Sequence, residues 1–365
     1  MNITFFIGGL SGGGAERVTC NLASYLARKG HEIGILTMSD DMATYALDDN
    51  VHRVPLLKSS ERKGLLYNSF IRIKRLIIHL CKDKVDAYVV MLPVTTILLL
   101  RLSWLTKSKI IAAERVDPSN YPSGKQKQLK TLAKRADGWV FQTEEERAWY
   151  GETTCNAKVR IISNAINPDF IREPYRGERK KIIVTAGRLT EQKNHKLLIQ
   201  AFANISPHFL DYQLVILGDG PLKEQLKSAA EELDVKEKVF LLGYTTNIGD
   251  KIKDASLFVL SSDFEGMPNA LMEAMALGLP CISTNCDGGG AKFLIENEKN
   301  GLLVPKGDVN ALAVAMDRMF SDREFAEQCG REAHKICERL APEKIYGEWE
   351  SFIKEIVEND KQKLR

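Results

Sequence analysis

A chain of 365 residues and 41.0 kDa is too long for one ordinary core and suits two domains of roughly 150–200 residues each. With 44% hydrophobic and 27% charged residues, the composition excludes disordered, collagenous and coiled-coil classes. Lys and Arg number 51 against 48 Asp and Glu, and a net charge of only +3 gives no general case for a nucleic-acid partner.

The opening Met1-Asn2-Ile3-Thr4-Phe5-Phe6 lacks the basic region and long apolar run of a signal peptide, and residues 2–7 read as a short strand. A glycine-rich turn follows, Gly8-Gly9-Leu10-Ser11-Gly12-Gly13-Gly14. The helix expected over 15–29 carries Val18, Leu22 and Leu26 on one face and stops at Gly30. With a strand at 33–37 this is a right-handed βαβ opening.

Residues 51–135 hold 18 Lys/Arg against 5 Asp/Glu. Part of that excess lies on 58–84, where Leu65, Leu66, Phe70, Ile73, Ile77 and Leu80 recur at helical spacing beside Arg62, Lys63, Arg72, Lys74, Arg75 and Lys82. Such a helix either rests its apolar stripe on anionic lipid or packs it on its own core. Lys125, Lys127, Lys130, Lys134 and Arg135 enlarge the basic area and tilt the reading toward an anionic membrane surface met by 58–84 and 125–135. The longest apolar stretch, 88–105, is interrupted by Pro93 and Arg101 and reads as a buried strand and a helix, not a membrane span. Further strands are expected at 87–91, 109–113, 138–141 and 158–162.

The polar stretch 167–179, with Pro168, Pro174 and Gly177, reads as an interdomain linker. A second alternation follows: strands at 181–186, 213–217, 239–242, 257–260, 280–284 and 301–304, with helices at 194–205 and 222–233 among those between them. The pattern is α/β, two doubly wound domains facing a central cleft, with ligands expected beyond the carboxyl ends of the strands. The seven cysteines contain no Cys-x-x-Cys pair, which disfavours a disulfide framework or structural zinc.

Three loops carry chemistry. In the first, Gly12, Gly13 and Gly14 let the backbone approach an anion at a helix start, or form a tight turn without ligand. No Gly-Lys-Ser/Thr follows, and Arg17 breaks the dinucleotide glycine register. The second is Gly187-Arg188-Leu189-Thr190-Glu191-Gln192-Lys193-Asn194, between a strand end and a helix start. Arg188 offers a planar fork and Lys193 a point charge, a combination suited to a diphosphate, and Asn194 can cap the helix. The third runs through Glu265-Gly266-Met267-Pro268-Asn269-Ala270 to Glu273. Pro268 suits a first helical turn and Gly278 a stop. Amides around 267–270 can hold phosphate oxygens, and Glu273 and Glu265 can accept hydrogen bonds from ribose and hexose hydroxyls.

The Glu265…Glu273 pair, Gly187-Arg188…Lys193-Asn194, Gly218-Asp219-Gly220-Pro221, Ser163-Asn164-Ala165-Ile166-Asn167 and the glycine loop before Ala15-Glu16-Arg17 resemble the retaining glycosyltransferases of family 4. The resemblance covers nearly the whole chain. It implies a GT-B fold of two Rossmann-like domains: an acceptor-binding domain over 1–168, with a helix at about 343–358 packing back onto it, and a nucleotide-sugar domain over 180–342. The pattern is similar to bacterial enzymes extending lipid-linked oligosaccharides for protein glycans, O-antigen, lipopolysaccharide or capsule. By that resemblance Arg188 and Lys193 bind the donor diphosphate and stabilise the departing nucleotide. Glu273 holds the ribose, and Glu265 faces the transferred sugar. Gly187, Gly266, Met267, Pro268, Asn269 and Ala270 complete the donor site, and Gly12, Gly13 and Gly14 admit the donor phosphate or acceptor. Many relatives place a histidine where this chain has Glu114-Arg115-Val116-Asp117-Pro118, so Glu114 and Arg115 are expected to form that wall. The loop Cys286-Asp287-Gly288-Gly289-Gly290-Ala291 is richer in glycine than is usual in the family.

Leaving-group stabilisation by Arg188, Lys193 and helix amides needs no divalent ion, and no Asp-x-Asp motif stands beside the phosphates. The expectation is therefore a metal-independent, retaining α-glycosyltransferase without cofactor. It would move a hexose or N-acetylhexosamine, with UDP-N-acetylgalactosamine favoured, from a UDP-sugar to a polyprenyl-diphosphate-linked glycan. Its place would be peripheral, on the cytoplasmic face of a bacterial plasma membrane. The alternatives are a GT-B enzyme acting on a soluble acceptor or on free nucleotide-sugars, and a membrane scaffold that binds nucleotide-sugar without turnover. A dinucleotide oxidoreductase is disfavoured by the missing glycine fingerprint.

Overall fold

The computed structural model describes residues 1–82 and 84–363, with side chains described as far as Glu358. The chain divides into two compact units, Met1–Ala165 joined by the C-terminal segment from Glu343, and Ile166–Pro342.

In the first unit, in chain order, are β1 (Asn2–Ile7), α1 (Gly14–Arg28), β2 (Glu32–Thr37), β3 (Val51–Pro55), α2 (Leu65–Lys82), β4 (Ala87–Met91), α3 (Pro93–Arg101), β5 (Lys109–Ala113), α4 (Ser123–Leu132), β6 (Gly138–Phe141), α5 (Glu144–Tyr150) and β7 (Lys158–Ile161). The described strands form a parallel sheet in the order β3-β2-β1-β4-β5-β6-β7. Its chemistry explains the sequence pattern: a parallel strand covered on both faces is a continuous apolar run, and β4 is buried along its whole length. The strand not expected from sequence, β3, is an edge strand, half-exposed at His52, Arg53 and Val54, so its apolar signal is weak.

The second unit contains β8 (Lys180–Ala186), α6 (His195–Ile205), β9 (Gln213–Leu217), α7 (Lys223–Glu232), β10 (Val239–Gly243), α8 (Ile248–Ile252), β11 (Ala255–Leu260), α9 (Asn269–Ala276), β12 (Cys281–Thr284), α10 (Gly290–Leu294), β13 (Leu302–Val304), α11 (Val309–Ser321), α12 (Arg323–His334) and α13 (Ile336–Arg339). Its parallel sheet runs β10-β9-β8-β11-β12-β13. The stretch 167–179, expected as a linker, is built onto this unit. Phe170 is buried, Arg172 pairs with Asp250 at 3.1 Å, and Arg179 donates to the carbonyls of Lys253, Ala255 and Gly278.

The last helix, α14 (Pro342–Lys363), lies against the first sheet. Trp349, Phe352 and Ile353 are buried, and burial of each such side chain is worth roughly 1.5–3 kcal/mol. Gly138 gives this helix its seat: a Cβ there would stand 2.2 Å from Ile356 Cδ1. Glu355 accepts from Lys158 (2.7 Å) and Arg160 (2.5 Å), and His31 Nε2 lies 3.0 Å from Glu350 Oε1.

The helix α2 only half fulfils an ordinary packing role. Leu76 and Leu80 are buried, whereas Leu65 and Leu66 are 81% and 87% exposed and Phe70 is 62% exposed. Several of its basic neighbours are already occupied. Arg75 forms two bonds to Glu61 (2.7 and 2.6 Å), Arg62 pairs with Asp41, and Arg72 Nε donates to Met38 O. Among the described residues no helix is long and apolar enough to cross a membrane.

Candidate active site

In the second unit the residues that sequence singled out meet beyond the carboxyl ends of β8, β9, β11 and β12. After β8, the Gly187–Leu189 turn rests on the Gly218-Asp219-Gly220 turn after β9. Gly187 N donates to Leu217 O and Leu189 N to Asp219 O, both at 2.9 Å. The two backbones lie so close that a Cβ on Gly218 would be 1.9 Å from Gly187 O, and Gly218 also has φ of 146°. Only glycine satisfies both conditions. This platform holds Arg188 outward: its side chain is exposed, and no bond to it is found among the described residues.

Asn194 ends the turn at φ 42°. Its Oδ1 accepts from Leu197 N (3.2 Å), capping α6, and its Nδ2 donates to Asp263 Oδ1 (3.0 Å), tying the loop to that after β11. Lys193 Nζ is bonded to Glu265 Oε1, their side chains only 15% and 9% exposed. Ser262 Oγ also donates to that oxygen (2.7 Å), and Ser261 Oγ donates to Lys193 O (3.0 Å).

The chain then enters α9. Pro268 occupies the N-cap position, one residue before the first turn, and Glu273 is buried in the second turn. Gly266, Met267 and Pro268 are buried, while Asn269 and Ala270 are partly exposed at the helix start. The glycine-rich loop after β12 supports this segment. Glu265 N donates to Asp287 O (2.9 Å), and Asp287 N to Asp263 O (3.1 Å). A Cβ on Gly290 would fall 1.7 Å from Gly266 O, so this glycine serves close packing of two loops. Lys306 Nζ pairs with Asp287 Oδ2 at 2.5 Å.

The second unit thus brings together an outward guanidinium, an ammonium paired with a carboxylate, and the start of α9. That set suits an anion carrying a polyhydroxylated group: cations and the positive helix end meet phosphate, and carboxylates accept from hydroxyls.

The first unit places Gly12 at φ 114°, Gly13 as the N-cap of α1 and Gly14 as its first residue. Gly13 lies under the Glu16 carboxylate: a Cβ there would stand 2.1 Å from Oε2. Glu114 and Arg115, the residues expected to form the wall, directly follow β5. Both are buried, 3% and 7% exposed, and brace neighbouring loops. Glu114 accepts from Tyr121 Oη (2.6 Å) and Tyr150 Oη (2.7 Å), and burial raises its pKa. Arg115 Nη1 donates to Asn164 Oδ1 (3.0 Å), and its guanidinium lies 5.2 Å from the centre of the Trp349 ring. Burial lowers its pKa to about 10. Nearby Glu146 is pushed up to about 8, first by burial and then by the charge of Glu114.

Sequence reasoning passed over Gln192, Ser262 and His195. Gln192 bonds to Phe264 and Glu265 on a loop far along the chain, which no local spacing reveals, while Ser262 bonds within its own loop to Glu265. His195 opens α6, buried beside the Gly187–Arg188 backbone, with its pKa lowered to about 4 by burial and then by Lys193. Its place directly after the capping Asn194 was the available signal.

Comparison with known proteins follows the division into two units. Residues 167–336 match the family model described as glycosyl transferases group 1, and residues 12–170 match glycosyltransferase family 4. A GalNAc-alpha-(1->4)-GalNAc-alpha-(1->3)-diNAcBac-PP-undecaprenol alpha-1,4-N-acetyl-D-galactosaminyltransferase of Campylobacter jejuni is 27% identical over 98% of this chain and 99% of its own. An N-acetylgalactosamine-N,N'-diacetylbacillosaminyl-diphospho-undecaprenol 4-alpha-N-acetylgalactosaminyltransferase of the same organism is 29% identical over 87% and 89%. Among solved structures, Anabaena Alr3699/HepE in complex with UDP and glucose superposes with a TM-score of 0.83 at 16% identity, over 97% and 99% of the two chains. With both halves matched in this order on two parallel-sheet units, the chain belongs to the family 4 glycosyltransferases of GT-B fold.

Proposed function

We propose that this chain transfers a hexose or N-acetylhexosamine, UDP-N-acetylgalactosamine being the favoured donor, to a polyprenyl-diphosphate-linked glycan, with retention of anomeric configuration. The observation that carries the donor half is the pairing of an outward Arg188 with Lys193 on one turn, beside Glu265 and the start of α9. As the bond between sugar and diphosphate breaks, negative charge grows on the leaving phosphate, and Arg188, Lys193 once released from Glu265, and the helix start stabilise it. Held in that geometry, a phosphate oxygen on the same face as the incoming acceptor hydroxyl takes its proton, so no enzymic nucleophile is required. Glu273 receives the ribose hydroxyls. Protein cations supply the charge stabilisation, and no divalent ion is needed.

The acceptor half and the choice of sugar draw support from the names of the two Campylobacter relatives. They also draw on the first unit's surface, where Leu65, Leu66 and Phe70 stand exposed beside Lys63 and Lys74. Apolar side chains that dip into a bilayer interface, flanked by lysines, fit an anionic lipid surface. Contact with the cytoplasmic face of a membrane would bring the lipid-linked diphosphate to the enzyme.

The test is a panel of UDP- and GDP-sugars incubated with the purified protein and a polyprenyl-diphosphate disaccharide. Nucleotide release and the product's anomeric coupling by NMR are the readouts. The reading predicts acceptor-dependent UDP release and an α-product. Interconversion of free nucleotide-sugars without an acceptor, or a β-product, would overturn it.

A further inference from the structure

Gln192 joins the two donor loops from both its main chain and its side chain. Its carbonyl accepts from Asp263 N (2.9 Å), its Nε2 donates to Phe264 O (2.9 Å), and the same nitrogen lies 3.5 Å from Glu265 Oε2. Ser262, fully buried, donates to Glu265 Oε1, and its own carbonyl is held by Thr284 Oγ1. The two oxygens of Glu265 are therefore unequal. Oε1 is occupied by a hydroxyl and by the Lys193 ammonium, whereas Oε2 has one donor at the outer limit of bonding.

We infer that Gln192 and Ser262 are positioning residues that hold Glu265 as a stand-in anion for Lys193 until a sugar nucleotide arrives. The inference rests on the proposed donor reading. An opposite charge in contact with Lys193 cancels most of the field that a diphosphate would otherwise feel. For Lys193 to turn to the phosphate, Glu265 must give up its cation while remaining aimed by Ser262 and Gln192. A sugar hydroxyl then supplies the replacement hydrogen bond, to the under-occupied Oε2 or to the vacated Oε1. Diphosphate and sugar are in this way recognised jointly. A nucleoside diphosphate without its sugar must separate the ion pair with nothing to replace it. After transfer, Lys193 returns to Glu265, which weakens the hold on the product nucleotide.

Calorimetric titration of UDP and of the accepted UDP-sugar into wild type and variants tests this. Glu265→Gln removes the competing charge, so UDP should bind at least threefold tighter while the margin by which the intact UDP-sugar outbinds UDP shrinks. Gln192→Leu and Ser262→Ala loosen the aim of Glu265, so KM for the UDP-sugar should rise about tenfold while UDP affinity changes less than twofold. A merely structural role would weaken both ligands together, because Lys193 sits on the same turn. Equal weakening of UDP and UDP-sugar in Glu265→Gln, or in both positioning variants, overturns the inference and leaves the donor reading standing. A wild type that binds no UDP, or a Lys193→Met variant with unchanged UDP affinity, overturns the donor reading and the inference with it.

Discussion

Replacing Glu146 by glutamine should stabilise the first unit, and the gain should grow as pH rises. The Glu146 carboxyl is buried beside Glu114, which pushes its pKa to about 8. Its Oε1 has no partner, while Oε2 accepts from Gln142 N (2.8 Å). Arg115, close enough to lower this pKa, spends its Nη1 on Asn164, and among the described residues its Nε and Nη2 find no partner, so it forms no bond to the Glu146 carboxylate. A folded pKa above the unfolded value means that the group's stabilising contribution is full below about pH 4 and is lost as pH rises toward 8. At roughly 1.4 kcal/mol per unit, the cost reaches about 4 kcal/mol by pH 7 as an upper bound, since local relaxation and water entry reduce it. Glutamine keeps the size and the acceptor for Gln142 without the ionisation, so a gain of roughly 2–4 kcal/mol at pH 7 is expected. All four tryptophans, Trp104, Trp139, Trp149 and Trp349, lie in the first unit, so their fluorescence during urea unfolding reports on that unit alone. The wild type should lose stability between about pH 5 and pH 8, and Glu146→Gln should flatten that slope. A variant less stable than wild type at pH 8, with an unchanged slope, would show that the carboxylate is ionised and serves Arg115 as counter-ion.

Gly218→Ala should disturb the donor turn through the Gly187 carbonyl, lowering UDP affinity at least tenfold and destabilising the second unit. Titration together with circular-dichroism melting reads both, and normal UDP binding would refute the platform argument. Leu66→Glu with Phe70→Glu should abolish binding to vesicles containing anionic lipid without changing urea stability, because both side chains are exposed. Flotation with the melting curve as control checks this, and unchanged flotation removes the membrane argument. Neutralising Arg75 would be a poor version of that test, since its guanidinium is committed to Glu61. Transfer assayed in excess EDTA should proceed at the untreated rate; loss of activity restored by added Mg²⁺ or Mn²⁺ would contradict catalysis by protein cations alone.

The fold was legible where burial is two-sided. The strands β4 and β6 lie at the bounds read from sequence because a strand covered above and below has few polar residues to blur its ends. The edge strand β3 was missed for the opposite reason. Amphipathy in α2 located an apolar stripe but not its cover, because periodicity says which residues share a face and nothing about what meets that face. In the second unit the motifs supplied Arg188, Lys193 and Glu265, which the structure carries on the turns after β8 and β11, and Glu273, buried in the second turn of α9. Glu114 and Arg115 were placed by resemblance alone, and spacing along the chain does not show that Tyr121, Tyr150, Asn164 and Trp349 gather round them and compensate their burial. Gln192 acts through the backbone of a distant loop, so its part became visible only once β8 and β11 stood side by side.

The most direct test of the donor-site account is calorimetric titration of UDP into the wild type and into folded Arg188→Ala, Lys193→Ala and double-variant proteins. The account predicts that each single substitution weakens binding at least tenfold, that the double variant shows no measurable heat, and that acceptor-dependent UDP release falls in parallel. Wild-type affinity in the double variant, with full transfer activity, would contradict it.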